Sequence, residues 1–147
     1  MMPVDRGIRA LLAADSTLGA LASNGVHKAA PPEGVGPPYL VFVSTDDTPE
    51  KTAGNPAAWV SSLYTVRGVG VATATKGPGD AAEAIRDRAV DVLTARGPGG
   101  SGWALGVTGY RVMYVSWQRN ITPYSEVIGG VVRVHAPAYV LIQVVPL

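Results

Sequence analysis

Acid–base or nucleophilic chemistry in this chain would have to start from His27 and His135, the only histidines among 147 residues that include no cysteine. Without cysteine there is no disulfide, no thiolate metal ligand and no thiol nucleophile. A histidine base needs a Ser, Thr or Lys nucleophile beside it, and no Gly-x-Ser-x-Gly elbow occurs. His27, His135, Asp46 and Asp47 carry nitrogen and oxygen donors, but no pair of them has metal-ligand spacing. Both histidines fall in strand-like segments, where a structural role outweighs a catalytic one. The run Lys76-Gly77-Pro78-Gly79 precedes a helix start, a place where anions can bind, yet it matches no phosphate-binding fingerprint. The glycine-rich stretch 97–102 lacks the Lys-Ser/Thr of a phosphate loop and follows a helix instead of opening one. It reads as a mobile linker. These residues therefore assign no catalytic, cofactor-binding or metal-binding position, and no cofactor.

Nucleic-acid binding would require clustered basic residues with interleaved aromatics. Arg111, Trp117, Arg119 and Arg133 are the candidates. Arg111 and Trp117 share parity on one predicted strand, but a solvated sheet edge explains four such residues equally well. Net charge is +1, so there is no global attraction to phosphate or to an anionic membrane. Asn120-Ile121-Thr122 matches a glycosylation sequon by chance spacing. No apolar run approaches the roughly 20 residues that span a bilayer, and Met1 to Arg9 has no apolar core of a signal peptide.

Charged residues make up 16% and hydrophobic residues 47% of the chain. Soluble domains usually carry about 25% charged residues. Either part of the surface is covered in an assembly, or an Ala/Val/Gly-rich composition reflects a GC-rich genome; the sequence weighs these equally. The length suits one domain over 1–147, large enough to form a core without staples.

The elements that must position any surface are centred on Trp59 to Arg96. Trp59 to Val71 reads as a long strand. A helix is predicted from Asp80, as N-cap with Glu83 three residues on, to Arg96 in its last turn. Gly97 would take the left-handed terminal position and Pro98 end the helix. Ala81, Ile85, Ala89, Val92 and Leu93 form one apolar stripe, with Arg86, Asp87, Arg88 and Asp91 away from it. Residues 3 to 22 predict a helix broken once at Asp15-Ser16-Thr17. Val26 to Ala29 is a short strand, 31–38 a Pro/Gly loop and Tyr39 to Ser44 a strand. Residues 45–57 are polar and read as a long surface loop or a hairpin connection. Tyr110 to Gln118 is a strand with Tyr110, Val112 and Tyr114 on one face and Met113, Val115 and Trp117 on the other. Arg119 to Ser125 is a polar link within an extended segment 119–128, and Val127 to Val145 is long and β-rich. Gly129-Gly130 and Pro137 divide it, leaving Tyr139 to Val145 as the last strand. The order predicts an α+β domain: an antiparallel sheet with one long helix packed on a face and an N-terminal helix.

The ordered set of local patterns resembles the tail completion or tail terminator proteins of long-tailed bacteriophages, the group related to the lambda-like tail terminator. The residues that carry the resemblance are the helix through Leu11-Leu12-Ala13-Ala14-Asp15-Ser16-Thr17-Leu18-Gly19-Ala20-Leu21, then Gly25-Val26-His27, and the entry Pro37-Pro38-Tyr39-Leu40-Val41-Phe42. Tyr64-Thr65-Val66-Arg67-Gly68-Val69-Gly70 with its following helix, and the approach Gly130-Val131-Val132-Arg133-Val134-His135, complete it. The resemblance implies a non-enzymatic structural protein of the virion tail-neck region, assembled in the bacterial host cytoplasm. Its partners would be other copies of itself in a ring, usually a hexamer, the tail tube protein and the head–tail connector or stopper protein. DNA would pass through the ring without sequence-specific binding. The alternatives are another neck ring protein, such as a head-closure or stopper protein, and a small α+β enzyme or ligand-binding domain using His27 or His135. Aromatic and charged residues at loop and strand ends are interface candidates. Asp46, Asp47, Glu50, Trp59, Trp117 and Arg119 are the positions selected.

Overall fold

The computed structural model describes residues 2–52 and 55–147, with side chains described outside 48–58. The chain runs α1 (Met2–Ala14), α2 (Ser16–Leu21), β1 (Val26–Lys28), β2 (Tyr39–Thr52), β3 (Asn55–Gly70), α3 (Pro78–Leu93), β4 (Tyr110–Asn120), β5 (Tyr124–Ile128) and β6 (Val131–Pro146). The fold is α+β, as expected. Its six-stranded sheet has the order β1-β2-β3-β6-β4, and β5 also pairs with β6. The sheet is mixed, not wholly antiparallel: β1 runs parallel to β2. The ten-residue connection that this requires is anchored by Asn24, whose amide donates to the carbonyls of Gly36 at 2.8 Å and Pro37 at 3.2 Å.

All three helices lie on one face of the sheet. Strand alternation puts Leu40, Phe42, Tyr64, Val66, Val140, Ile142 and Val144 on that face, where they form one core with Val4, Ile8, Leu12, Leu18 and Ile85. The break at Asp15 falls where its chemistry places it. The Asp15 carboxylate caps α2 by accepting from the Leu18 N–H at 2.8 Å. It also accepts two bonds from Arg88, from Nε at 2.9 Å and from the terminal nitrogen at 2.8 Å, and so ties α2 to α3. A second tie is buried. The Tyr64 hydroxyl donates to Asp5 at 2.5 Å, and Lys28 pairs with the other Asp5 oxygen at 2.7 Å. Burial first, and the Asp5 carboxylate second, push the Tyr64 hydroxyl far above its ordinary pKa.

Helix α3 differs from its sequence reading at both ends. It begins at Pro78, in the first-turn position that proline suits, with Gly77 as N-cap and no side-chain cap. Asp80 is a first-turn acid instead of the cap. The helix stops at Leu93 with Thr94 as C-cap, so Arg96 and Gly97 lie beyond it. Arg96 instead pairs with Trp103 in an isolated β-bridge, its guanidinium 4.2 Å from the ring centroid. Between them 97–102 is a closed turn, with the Gly97 N–H donating to Gly102 O at 3.2 Å and Gly100 N–H to Gly97 O at 3.0 Å. It is not a linker. The buried face is also wider than the stripe predicts. Ala82 and Arg86 are buried with Ile85, Ala89, Val92 and Leu93. The Arg86 guanidinium reaches the exposed Asp87 carboxylate at 2.9 Å, its aliphatic stem covering apolar surface.

The reason for the wider face is close approach. At Gly68 an added Cβ would sit 2.3 Å from the Ala82 carbonyl oxygen, and at Gly70 it would sit 2.5 Å from the Ala82 nitrogen. The helix therefore rests its backbone directly on β3, and residues flanking the stripe become covered.

Strand β4 carries two register shifts, between Val112 and Tyr114 and between Trp117 and Arg119. The first bulge leaves Met113 unpaired and reverses facing. Val112 and Val115 consequently both face the core, which corrects the simple alternation predicted for this strand. Strand β6 runs unbroken through Pro137, which was expected to divide it. Pro137 lies opposite Arg67 of β3, and its carbonyl accepts from Ile121 at 2.9 Å on the other side. In an antiparallel strand a residue's N–H and C=O point to the same side. The missing N–H therefore falls at the break between β4 and β5, where no ladder bond is lost.

Two outcomes check this packing. Gly68→Ala is expected to destabilise the fold by at least about 1–3 kcal/mol, since backbone and not a flexible side chain must yield; urea unfolding measures it. Asp15→Asn should retain the cap but lose the ion pair. The Arg88 hydrogen bonds, then that of the Leu18 N–H, hold the Asp15 pKa below its ordinary value. A depressed carboxylate contributes stability that is present above its unfolded pKa of about 3.9 and lost as pH falls through the folded value. The stability gap between wild type and Asp15→Asn is thus expected at pH 7 and should close below about pH 4.

Candidate functional site

The helix-free face and the two hairpins that extend beyond it are what the fold presents outward. Strand β3 pairs with β6 from Val60↔Val144 to Gly70↔Val134. Beyond Val60, the β2/β3 hairpin continues past one end of the sheet. Beyond Gly70, the β5/β6 hairpin continues past the opposite end. Residues 45–52 and 55–57 thus belong to two paired strands, the hairpin being one of the two readings their sequence allowed; residues 53–54 lie outside the described residues.

The six candidate interface residues are split between separate places. Asp46 and Asp47 lie exposed on β2, opposite Leu63 and Ser62. The Ser44/Asp46 bulge places Asp46 on the helix-free face and Asp47 on the helix face, where the Ser44 hydroxyl donates to it at 3.0 Å. Glu50 pairs with Trp59 across the ladder; the Glu50 side chain lies outside the described residues. Trp59 is half-buried, with its indole N–H buried and without a hydrogen-bond partner among the described residues. Trp117 and Arg119 lie elsewhere, on edge strand β4. Trp117 lies opposite Val140, on the helix face, is half exposed and donates its indole N–H to Asn120 at 3.0 Å. Arg119 lies opposite Tyr139 and holds its guanidinium 5.3 Å from that ring on the other face. The bulges also separate Arg111 from Trp117, which simple parity put together. The structure therefore does not assemble Arg111, Trp117, Arg119 and Arg133 into one basic patch.

A cluster that the sequence reading missed lies at the root of the β5/β6 hairpin. Tyr124, Val69 and Tyr39 line up with His135 across four strands. The His135 ring stacks on Tyr124 at 4.8 Å with planes 2° apart. Its Nε2 lies 2.7 Å from a Glu126 carboxylate oxygen. Arg67 donates to the Tyr124 hydroxyl at 3.2 Å. His135 is buried, and His27 sits apart with its Nε2 2.8 Å from the Asn24 carbonyl. Among the described residues, neither histidine has a nucleophile in hydrogen-bond contact. Among the described residues no three His, Asp or Glu side chains gather to hold a metal ion.

The tip of the same hairpin is apolar. Val127, Ile128, Val131 and Val132 are 46–67% exposed. Ile128, Val131 and Val132 border a cleft of about 530 Å³ whose other walls include Pro37, Val71 and Pro78. The two-residue turn is Gly129-Gly130 with φ of 59° and 78°, the positive pair that a tight hairpin turn of this type demands. The signal was present in the sequence. A Gly-Gly pair flanked by apolar residues marks a hairpin; reading it as a divider, and Arg119 to Ser125 as a polar link, hid it.

No family model and no curated protein sequence matches the chain. A match exists among solved structures. A chain in the structure described as the virion of a native gene transfer agent (GTA) particle superposes with a TM-score of 0.61 at 16% identity, covering 92% of this chain and 91% of that one. The likeness is one of fold, and it runs from end to end of both chains.

Removing the Glu126 carboxylate would leave the buried His135 Nε2 without its partner. Glu126→Ala is expected to cost about 1–3 kcal/mol. Hydrogen exchange should show faster exchange of β5 amides while α3 amides stay protected.

Proposed function

We propose that this chain is a structural protein of a phage-like virion, a tail terminator that forms a ring on the last tail-tube ring. In that role it ends tube polymerisation and offers a surface to the head-side connector. The observation that carries the reading is the end-to-end fold match to a chain of a gene transfer agent particle, together with the ordered sequence pattern of the tail terminator proteins. The architecture supports it physically. A ring closes through heterologous contacts, in which one surface of a subunit meets a different surface of the next. A single domain spanning 1–147 with hairpins extending from opposite ends of one sheet provides two such surfaces. The low charge content accords with a surface that is covered in an assembly. The role is non-catalytic; the partners are further copies of the chain, the tail tube protein and the connector or stopper, with DNA passing through the ring.

A head-closure or stopper protein is the second reading, since it too forms a ring between head and tail. Inactivating the chain in a producing strain separates the two. A terminator's loss is expected to give headless tubes of uncontrolled length by electron microscopy. Tails of normal length that fail to join heads would overturn the terminator role and favour the stopper.

A further inference from the structure

On its helix side the sheet carries opposite charge at its two edges. At the β1 edge, α1 turns Met2, Arg6 and Arg9 outward, a spacing that keeps all three on one helix face. With Lys28 and Phe42 they border a hollow of about 180 Å³. Lys28 is already held by Asp5 at 2.7 Å, and Asp5, the one acid of α1, is buried. The ion pairs among the described residues are those of Lys28, Arg86, Arg88 and His135. Arg6 and Arg9 are exposed and have neither an ion pair nor a side-chain hydrogen bond among the described residues.

The β4 edge is acidic on the same side. A cleft of about 460 Å³ between α3 and β4 is lined by Asp87, Val90, Asp91, Trp117 and Asn120. Asp87 and Asp91 are exposed and one helical turn apart. Asp87 gives one oxygen to Arg86 Nε at 2.9 Å. Asp91 has no ion pair, because the guanidinium of nearby Arg88 is committed to Asp15. Trp117 is half exposed, with its indole N–H held by Asn120. A carboxylate beside an exposed indole is what a guanidinium recognises: the first accepts its paired N–H groups and the second stacks on its plane.

Strands β1 and β4 are the opposite edges of one sheet, so the arginine face and the acidic cleft cannot meet within a copy. Copies set side by side, β4 edge to β1 edge with the same face up, bring them together without inversion. Such a contact is heterologous and can repeat around a ring.

We infer that the Arg6–Arg9 face of α1 docks into the Asp87–Asp91–Trp117 cleft of a second copy of this chain. The inference rests on the ring reading above and assigns a lateral contact between neighbouring copies, beside the hairpin surfaces.

The test uses purified full-length chain and sedimentation velocity over a concentration series. Wild type is expected to self-associate, and less so at high ionic strength. The double change Arg6→Glu/Arg9→Glu and, separately, Asp91→Lys and Trp117→Ala should each weaken association at least about tenfold with an unchanged circular dichroism spectrum. Mixing the Arg6→Glu/Arg9→Glu chain with the Asp91→Lys chain should restore association at least to the dimer. The first keeps an intact cleft and the second an intact arginine face, so loss of folding cannot produce that rescue. A wild type that stays monomeric at every concentration would overturn the inference, whether or not Arg6 and Arg9 then retain a short DNA duplex. The arginine variant or Asp91→Lys associating like wild type, or a mixture that associates no better than its components, would also overturn it. Those results leave the tail-length phenotype of the inactivated strain unaffected, so failure of the docking surface and failure of the terminator role are read separately.

Discussion

Helix α3 lies on β3 with no side-chain layer between them at Gly68 and Gly70, and the remaining structure depends on that contact. Any Cβ at either position would meet helix backbone. Direct seating brings Ala82 and Ala89 onto the sheet and buries the stem of Arg86. It also fixes the height at which α3 meets α2 through the Asp15–Arg88 pair. Helix α1 is then held from the other side by the buried hydrogen bond from Tyr64 to Asp5. The centre of one face of the sheet is committed to the three helices.

That commitment determines what remains for function. With one face covered, the outward surfaces are the helix-free face, the edge of β4 and the two hairpins. The hairpins extend from opposite ends because β3 and β6 are antiparallel and each continues past the other. His135 is locked between Tyr124 and Glu126, and the exposed residues at the β5/β6 tip are aliphatic. Under the proposed ring reading, these surfaces would serve contact between subunits.

The sequence carried the parts of this fold that follow from strong local periodicity and caps. The break at Asp15, the strands beginning near Val26, Tyr39 and Tyr110, and α3 as the central helix were all legible. The misreadings have physical causes. Asp80 and Gly97 have good capping chemistry, but Pro78 could open the helix earlier, and the Arg96–Trp103 pairing drew the chain out of it at Leu93. The bulge at Met113 reversed the facing of β4, and a one-residue insertion leaves no mark in an alternating pattern. Pro137 reads as a breaker unless the neighbouring strand is known to be interrupted there. Of the candidate interface residues, Asp46, Asp47 and Trp59 lie on the β2/β3 pair and Trp117 and Arg119 on β4. The Arg67, Tyr124, Glu126 and His135 cluster was not legible, because it joins three strands whose register no local pattern encodes.

The central claim is that this chain is a ring at the head-proximal end of a tail tube. A cryo-electron microscopy map of the intact particle tests it most directly, by fitting this fold into the neck density and counting copies around the tail axis. The account predicts one closed ring of this chain, six copies around the axis, seated on the last tube ring. Density for this fold elsewhere in the particle, or no copy of it in the particle at all, would contradict it.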